Sequence, residues 1–250
     1  MAKKKSAFNV AVRATSSLFS SAVVVVPLAL VFGTVVGFID IGVLELVAPE
    51  ARESARKAAR LAESGVQIAP FPQSTMLKLM FSWWAVMLLV EVALGPIVVA
   101  MSIYAARIRS HGGSLSFTKA LNFALSRYGK IVKWHAIAWL TIQVGMIAII
   151  PGILFLLQYA FVDSILCLEE EKQPLSRSSR LTKGRRRGLF ILAFIWLALN
   201  QVLGFAQLWA LGQASGTMYL IGMMSGAYLI NIWMIMVFYT YYEDRTGKAA

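Results

Sequence analysis

Residues 131–168 read IVKWHAIAWLTIQVGMIAIIPGILFLLQYAFVDSILCL. Two apolar runs, Ile131 to Ile150 and Ile153 to Leu168, are separated only by Pro151-Gly152. A helix rises about 1.5 Å per residue, so about 20 apolar residues cross roughly 30 Å of hydrocarbon. The stretch therefore predicts a transmembrane hairpin that turns at the Pro-Gly pair. Outward from it, four more runs have the same character. They are Leu18 to Ile39, Met76 to Tyr104 with Gly95-Pro96 as a predicted kink, Leu189 to Leu211, and Met218 to Tyr241 after the short turn 212–216. The chain of 250 residues is 58% hydrophobic, against roughly 45–50% for soluble domains. Its mean hydropathy is +0.68. A water-soluble core could not hide that much apolar surface. The expected fold is all-α: a single polytopic transmembrane bundle over residues 1–250, with about six spans.

Lysine and arginine accumulate in cytoplasmic connections, so their distribution predicts orientation. Lys3, Lys4, Lys5 and Arg13 precede the first run, and Arg107, Arg109, Lys119, Arg127, Lys130 and Lys133 surround the second connection between runs. Lys172, Arg177, Arg180, Lys183, Arg185, Arg186 and Arg187 fill the fourth, and Arg245 and Lys248 close the chain. On the other side stand two short turns and the stretch 48–74, where Glu50, Glu53 and Glu63 offset Arg52, Arg56, Lys57 and Arg60. Both termini are thus expected in the cytoplasm. Residues 48–64 read as a charged external helix, with Glu53 and Lys57 at pairing distance. The basic, Ser-containing N-terminus resembles a signal n-region, but no persuasive cleavage site follows it, and the first run reads as a retained span.

The formal charge of +12 lies in clusters between apolar runs. Anionic headgroups fit that pattern better than nucleic acid, which would need a folded basic domain. Residues 116–130 place Phe117, Leu121, Ala124 and Tyr128 on one helical face and Lys119, Asn122, Ser126 and Lys130 on the other. Such a segment reads as a helix lying in the membrane interface. Residues 174–183, with Pro174 at the start and Gly184 as the stop, and residues 6–17, with Phe8, Val12 and Thr15, read the same way. Each precedes two runs, which suggests three units of surface helix plus hairpin. The expected headgroup contacts are Lys119, Lys130, Arg177, Arg180, Lys183, Arg185, Arg186 and Arg187.

A charge at mid-membrane costs about 2.5–3.5 kcal/mol on insertion scales, so Glu91 and Asp163 need reasons. With Gln143, Gln158, Asn200, Gln201, Gln207 and Asn231 they form either interhelical hydrogen bonds or the lining of a wet path. The first reading is the stronger, and the second defines an alternative intramembrane site at Glu91, Gln143, Asp163, Asn200, Gln201 and Asn231. Gly33 with Gly37, and Gly222 with Gly226, have the spacing that lets helices approach closely. His135 reads as an interfacial residue, and Trp83, Trp84, Trp134, Tyr239, Tyr241 and Tyr242 as an aromatic belt. Consecutive Glu169-Glu170-Glu171 point in different directions and read as a solvated cap. No phosphate loop, His-Glu-x-x-His or nucleophile elbow is present in the sequence. A lone Cys167 excludes an internal disulfide, and His111 with His135 is a poor basis for a metal site. No enzyme activity, metal or cofactor is expected.

Phe161-Val162-Asp163, Leu166, Leu168-Glu169, Pro174-Leu175, Ser178-Ser179 and Leu181-Thr182-Lys183-Gly184, preceded by Ile149-Ile150-Pro151-Gly152-Ile153, resemble a signature stretch of a bacterial family. It is the membrane domain that accompanies some glycerophosphodiester phosphodiesterases, together with its stand-alone relatives. The resemblance covers about residues 149–189 and extends elsewhere only in hydropathy. It implies a six-span protein of the bacterial inner membrane and carries no catalytic residue across. This chain departs from it in the charged helix after the first span and in showing no hydrolase domain. The leading expectation is a non-enzymatic membrane protein that organises anionic lipid, a membrane partner protein or further copies of itself. A small transporter or permease subunit is the alternative.

Overall fold

The structure is a computed structural model that describes residues 6–47, 73–210 and 216–247. The expected external helix at 48–64, the turn at 211–215, and the side chains of Trp83, Trp84 and Gln207 lie outside the described residues. Among the described residues every element is an α-helix: α1 Ala7–Ser20, α2 Ala22–Val47, α3 Gln73–Ser110, α4 Phe117–Met146, α5 Ile150–Tyr159, α6 Val162–Leu168, α7 Pro174–Thr182, α8 Arg186–Ala210 and α9 Gly216–Thr246. Five segments among the described residues are long and apolar enough to cross a membrane: Ala22–Ile39, Leu88–Ser110, Ile150–Leu168, Arg186–Leu203 and Ile221–Thr246. They are the helices of a multi-pass membrane protein. The remaining expected run, from Ile131, lies on α4, where Lys133, His135 and Gln143 dilute its hydropathy.

The outer face of α8 shows why water is the wrong solvent. Phe190, Phe194, Ile195, Leu199 and Val202 are all exposed, Phe194 by 63% and Val202 by 66%. A continuous apolar face of this kind marks a surface that meets hydrocarbon or another apolar partner.

The chain divides into two compact units, one of residues 1–28, 92–197 and 230–250, the other of 29–91 and 198–229. In the first, α4 and α5 form the expected hairpin, but its turn lies earlier than Pro151-Gly152. The chain reverses at Ile147–Ile149, and Pro151 occupies the first turn of α5, where a missing N–H is harmless. Ile149 adopts φ 54° and ψ −65°, and the Ile150 N–H bonds the Ala148 carbonyl at 2.6 Å, the geometry of a strained γ-turn. Gly145 and Gly152 make the tight reversal possible, since a Cβ on Gly145 would lie 2.9 Å from the Gly152 backbone.

The fourth run is two helices rather than one, because the chain breaks between α5 and α6. The break is stitched by α7. Ser178 Oγ accepts from the Phe161 N–H at 3.1 Å and donates to the Gln158 carbonyl at 2.7 Å. Backbone groups that the break would leave unpaired are thereby satisfied. Gly184, at φ +84°, then ends the α7 segment as expected.

Residues 117–130 are not a separate surface helix; they continue without interruption into the run from Ile131 as the single helix α4. Two of their aromatic side chains touch α3. Phe123 packs on Tyr104 with ring centroids 5.1 Å apart, and Tyr128 donates to the Ala93 carbonyl at 2.8 Å. α1 keeps a separate identity, with Ser6 capping its start by accepting from the Asn9 N–H at 3.3 Å. It buries small Val10 and Ala14 and turns Phe8 and Phe19 outward, 75% and 74% exposed.

In the second unit, Gly33 of α2 meets Ser225 of α9 so closely that a Cβ would lie 2.4 Å from the Ser225 backbone nitrogen. Gly37 likewise faces Ile221, at 3.1 Å. Gly222 and Gly226, expected to share this role, have nothing within 4 Å among the described residues. The close approach is made by Gly33 against Ser225 and Gly37 against Ile221, with no part for Gly222 or Gly226 among the described residues.

Candidate functional site

The charged and hydrogen-bonding side chains gather in the first unit around the connection from α6 to α7. Glu169 ends α6 and is its centre. Its Oε1 accepts from the Tyr242 hydroxyl at 2.7 Å and its Oε2 pairs with Arg177 Nε at 3.4 Å. Its backbone carbonyl accepts from Lys130 Nζ at 2.7 Å. Glu170 draws in Lys130 at 3.3 Å and Arg127 at 3.9 Å, and Glu171 accepts from the Gln173 N–H at 3.1 Å. The Glu169 side chain is only 9% exposed against 87% for Glu170, so the triple-glutamate segment is not the uniform solvated cap that its sequence suggests. One of the three is a buried anchor that joins α4, α7 and α9.

A second cluster lies at the end of α9. Glu243 is buried and accepts from the Tyr239 hydroxyl at 3.0 Å and the Ser110 hydroxyl at 3.1 Å, and Arg13 of α1 pairs with Asp244. Tyr239, Tyr241 and Tyr242 are therefore not an interfacial belt. They are 3%, 2% and 1% exposed, because the carboxylates of Glu169 and Glu243 give two of their hydroxyls buried acceptors. Tyr241 is held differently: Arg185 stacks over its ring at 5.9 Å, and its hydroxyl occupies the space a Cβ on Gly188 would need.

The polar residues expected at membrane depth are divided between the two units. Asp163 Oδ1 lies 3.0 Å from Nδ1 of His135, which is buried rather than interfacial. Asn231 accepts from the Trp196 indole N–H at 2.8 Å. Gln143 is half-buried on α4. Glu91, half-buried, belongs to the second unit together with half-buried Asn200 and exposed Gln201. His135 as the partner of Asp163 was missed in the sequence, because the two stand 28 positions apart across a reversal whose place the Pro-Gly pair misreports.

Among the residues expected to touch headgroups, Lys130 and Arg177 are engaged by Glu169 and Glu170. Lys119, Arg180, Lys183 and Arg187 are exposed, and Arg185 and Arg186 are half-buried. Arg185 Nη1 and Arg186 Nε are shielded from solvent without a hydrogen-bond acceptor among the described residues. A buried guanidinium N–H without an acceptor is costly, and an anion is its natural complement. These donors stand at the N-terminal end of α8, whose helix dipole has the same sign preference.

One cavity, of about 420 Å³, opens beside this region. Trp134 of α4, Gln158 and Tyr159 of α5, Gln173, and Leu175, Ser176 and Ser179 of α7 line it. Neither the intramembrane carboxylates nor the unpaired arginines do. Comparison with family models, with curated proteins and with solved structures gives no match for this chain.

Proposed function

We propose that the chain is a non-enzymatic protein of the bacterial inner membrane that organises anionic lipid, with the connections of its first unit on the cytoplasmic side. The observation that carries this reading is the pair of shielded, acceptor-free guanidinium nitrogens at Arg185 and Arg186. Nearby cations such as Lys130 and Arg177 have internal acceptors, while these two nitrogens have none among the described residues and the neighbouring Lys183 and Arg187 are exposed. A lipid phosphate supplies oxygens for several guanidinium donors at once. The outward Phe8 and Phe19 of α1 and the apolar face of α8 suit the same boundary between headgroup and hydrocarbon. The dispersal of Asp163 and Asn231 into separate local pairs favours structural roles for them over a transport path.

The test is lipid co-purification. The protein extracted in mild detergent should retain anionic phospholipid well above its share of the membrane. Replacing Arg185, Arg186 and Arg187 together by alanine should weaken that retention by up to about a hundredfold, taking about 1 kcal/mol for each basic residue at a charged surface. Retained lipid that matches the bulk composition in both proteins contradicts the proposal.

A further inference from the structure

The cavity beside α7 has a lining unlike that of the cationic cluster. Two aromatic rings, Trp134 and Tyr159, offer apolar faces, and Leu175 adds an aliphatic wall. The amides of Gln158 and Gln173 and the hydroxyls of Ser176 and Ser179 supply the polar groups. None of the lining side chains is charged. An amide offers an acceptor and two donors, and a hydroxyl does both. A guest that satisfies these groups must therefore donate and accept on several sides while presenting apolar flanks to the rings. Hydroxyl groups on a carbon skeleton meet that demand. A phosphate or carboxylate, which only accepts, would face the amide oxygens, and a quaternary ammonium would leave amides and hydroxyls unmatched.

Neighbouring contacts support the walls. Tyr159 stacks on Phe155 at 5.9 Å, Lys133 lies over the Trp134 ring at 5.5 Å, and Ser178 pins α7 to the break between α5 and α6. A cavity of about 420 Å³ lies within the usual range for small-ligand sites. We propose that this cavity binds a neutral polyhydroxyl group, a sugar or polyol, carried as the headgroup of a membrane lipid. The lipid source rests on the membrane reading above; the chemistry of the cavity does not depend on the arginine cluster.

The full chain is placed in phosphatidylcholine nanodiscs containing either glucosyl diacylglycerol or the matching diacylglycerol, and bound lipid is counted by native mass spectrometry. The glucosyl lipid should be retained at least tenfold over its match, because a site built for hydroxyls rejects an analogue that lacks them. Gln158→Leu, and separately Ser176→Ala with Ser179→Ala, should reduce that preference at least fivefold. Replacing Arg185, Arg186 and Arg187 by alanine should leave it unchanged. Full competition by methyl glucoside would keep the polyhydroxyl assignment and overturn the lipid source. Equal retention of the two lipids, or a preference untouched by both sets of cavity variants, would overturn the proposal. A persistent glucosyl preference without anionic enrichment would reject the headgroup-phosphate reading and leave this one standing.

Discussion

The two units are held together by different physics. Among the described residues, the first contains 15 Lys and Arg against six Asp and Glu; the second contains one Lys against three Asp and Glu. The first is organised by carboxylates that tie helices together: Glu169 reaches α7 and α9, and Glu243 links α9 to the end of α3. Among the described residues of the second, α2 and α9 come into close contact where Gly33 admits Ser225, and Phe32 lies against Tyr228 with centroids 6.0 Å apart. Where basic connections and water meet the chain, buried polar anchors can fix a packing. In the second unit the close contact between α2 and α9 is a van der Waals approach of the kind small residues allow between helices. The contrast implies that each unit should fail to a different class of substitution.

The largest effect should come from the second unit. Gly33→Leu sets a side chain against a backbone nitrogen that cannot rotate away, and should cost about 3 kcal/mol, at the upper end for overpacking. The loss would be read as a lower midpoint of thermal unfolding in detergent. Gly222→Leu, on open surface, should leave the midpoint unchanged, and equal losses would break the distinction. In the first unit, Glu169→Ala removes the acceptor for Tyr242 and Arg177 and should cost about 2 kcal/mol, in line with hydrogen bonds to charged groups. Denaturation followed by near-ultraviolet circular dichroism would show it, and a silent variant would deny Glu169 its anchoring role.

Ser178→Ala leaves the Phe161 N–H and the Gln158 carbonyl without their shared partner and should cost about 1–2 kcal/mol. Faster hydrogen exchange confined to residues 158–165 would locate the damage, whereas unchanged exchange would remove the stitch. The smallest change is a gain. Ile149→Gly relieves a positive φ in the hairpin turn and should stabilise by about 1 kcal/mol, measurable as a raised unfolding midpoint. A destabilised variant would mean that the Ile149 side chain contributes more than its backbone strain removes.

The spans were readable because hydrocarbon imposes a length and a composition that any run of residues either meets or fails. The breaks were harder to see. Pro151-Gly152 announces a turn, yet proline is tolerated in a first helical turn, so the reversal moved to Ile147–Ile149. The division between α5 and α6 depends on Ser178, 17 positions away from Phe161, and no local pattern encodes it. Basic residues were visible as a class, but which of them stay available was not. Lys130 and Arg177 look the same in sequence as Arg180 and Lys183, and only the folded position of Glu169 separates them. The tyrosines of α9 misled for the same reason, since a buried acceptor brought from another helix is invisible in their own neighbourhood. The cavity's polar residues Gln158, Gln173, Ser176 and Ser179 lie in three different segments, and only Ser179 is among the signature residues.

The sidedness of the basic connections is the claim on which the account turns. In a Cys167→Ser background, single cysteines introduced as Lys183→Cys and, in separate proteins, Gln213→Cys would be exposed to a membrane-impermeant maleimide in intact cells. The cysteine at 213 should react at once, and the one at 183 only after the membrane is opened. Prompt labelling at 183 with protection at 213, or equal labelling at both in intact cells, would contradict it.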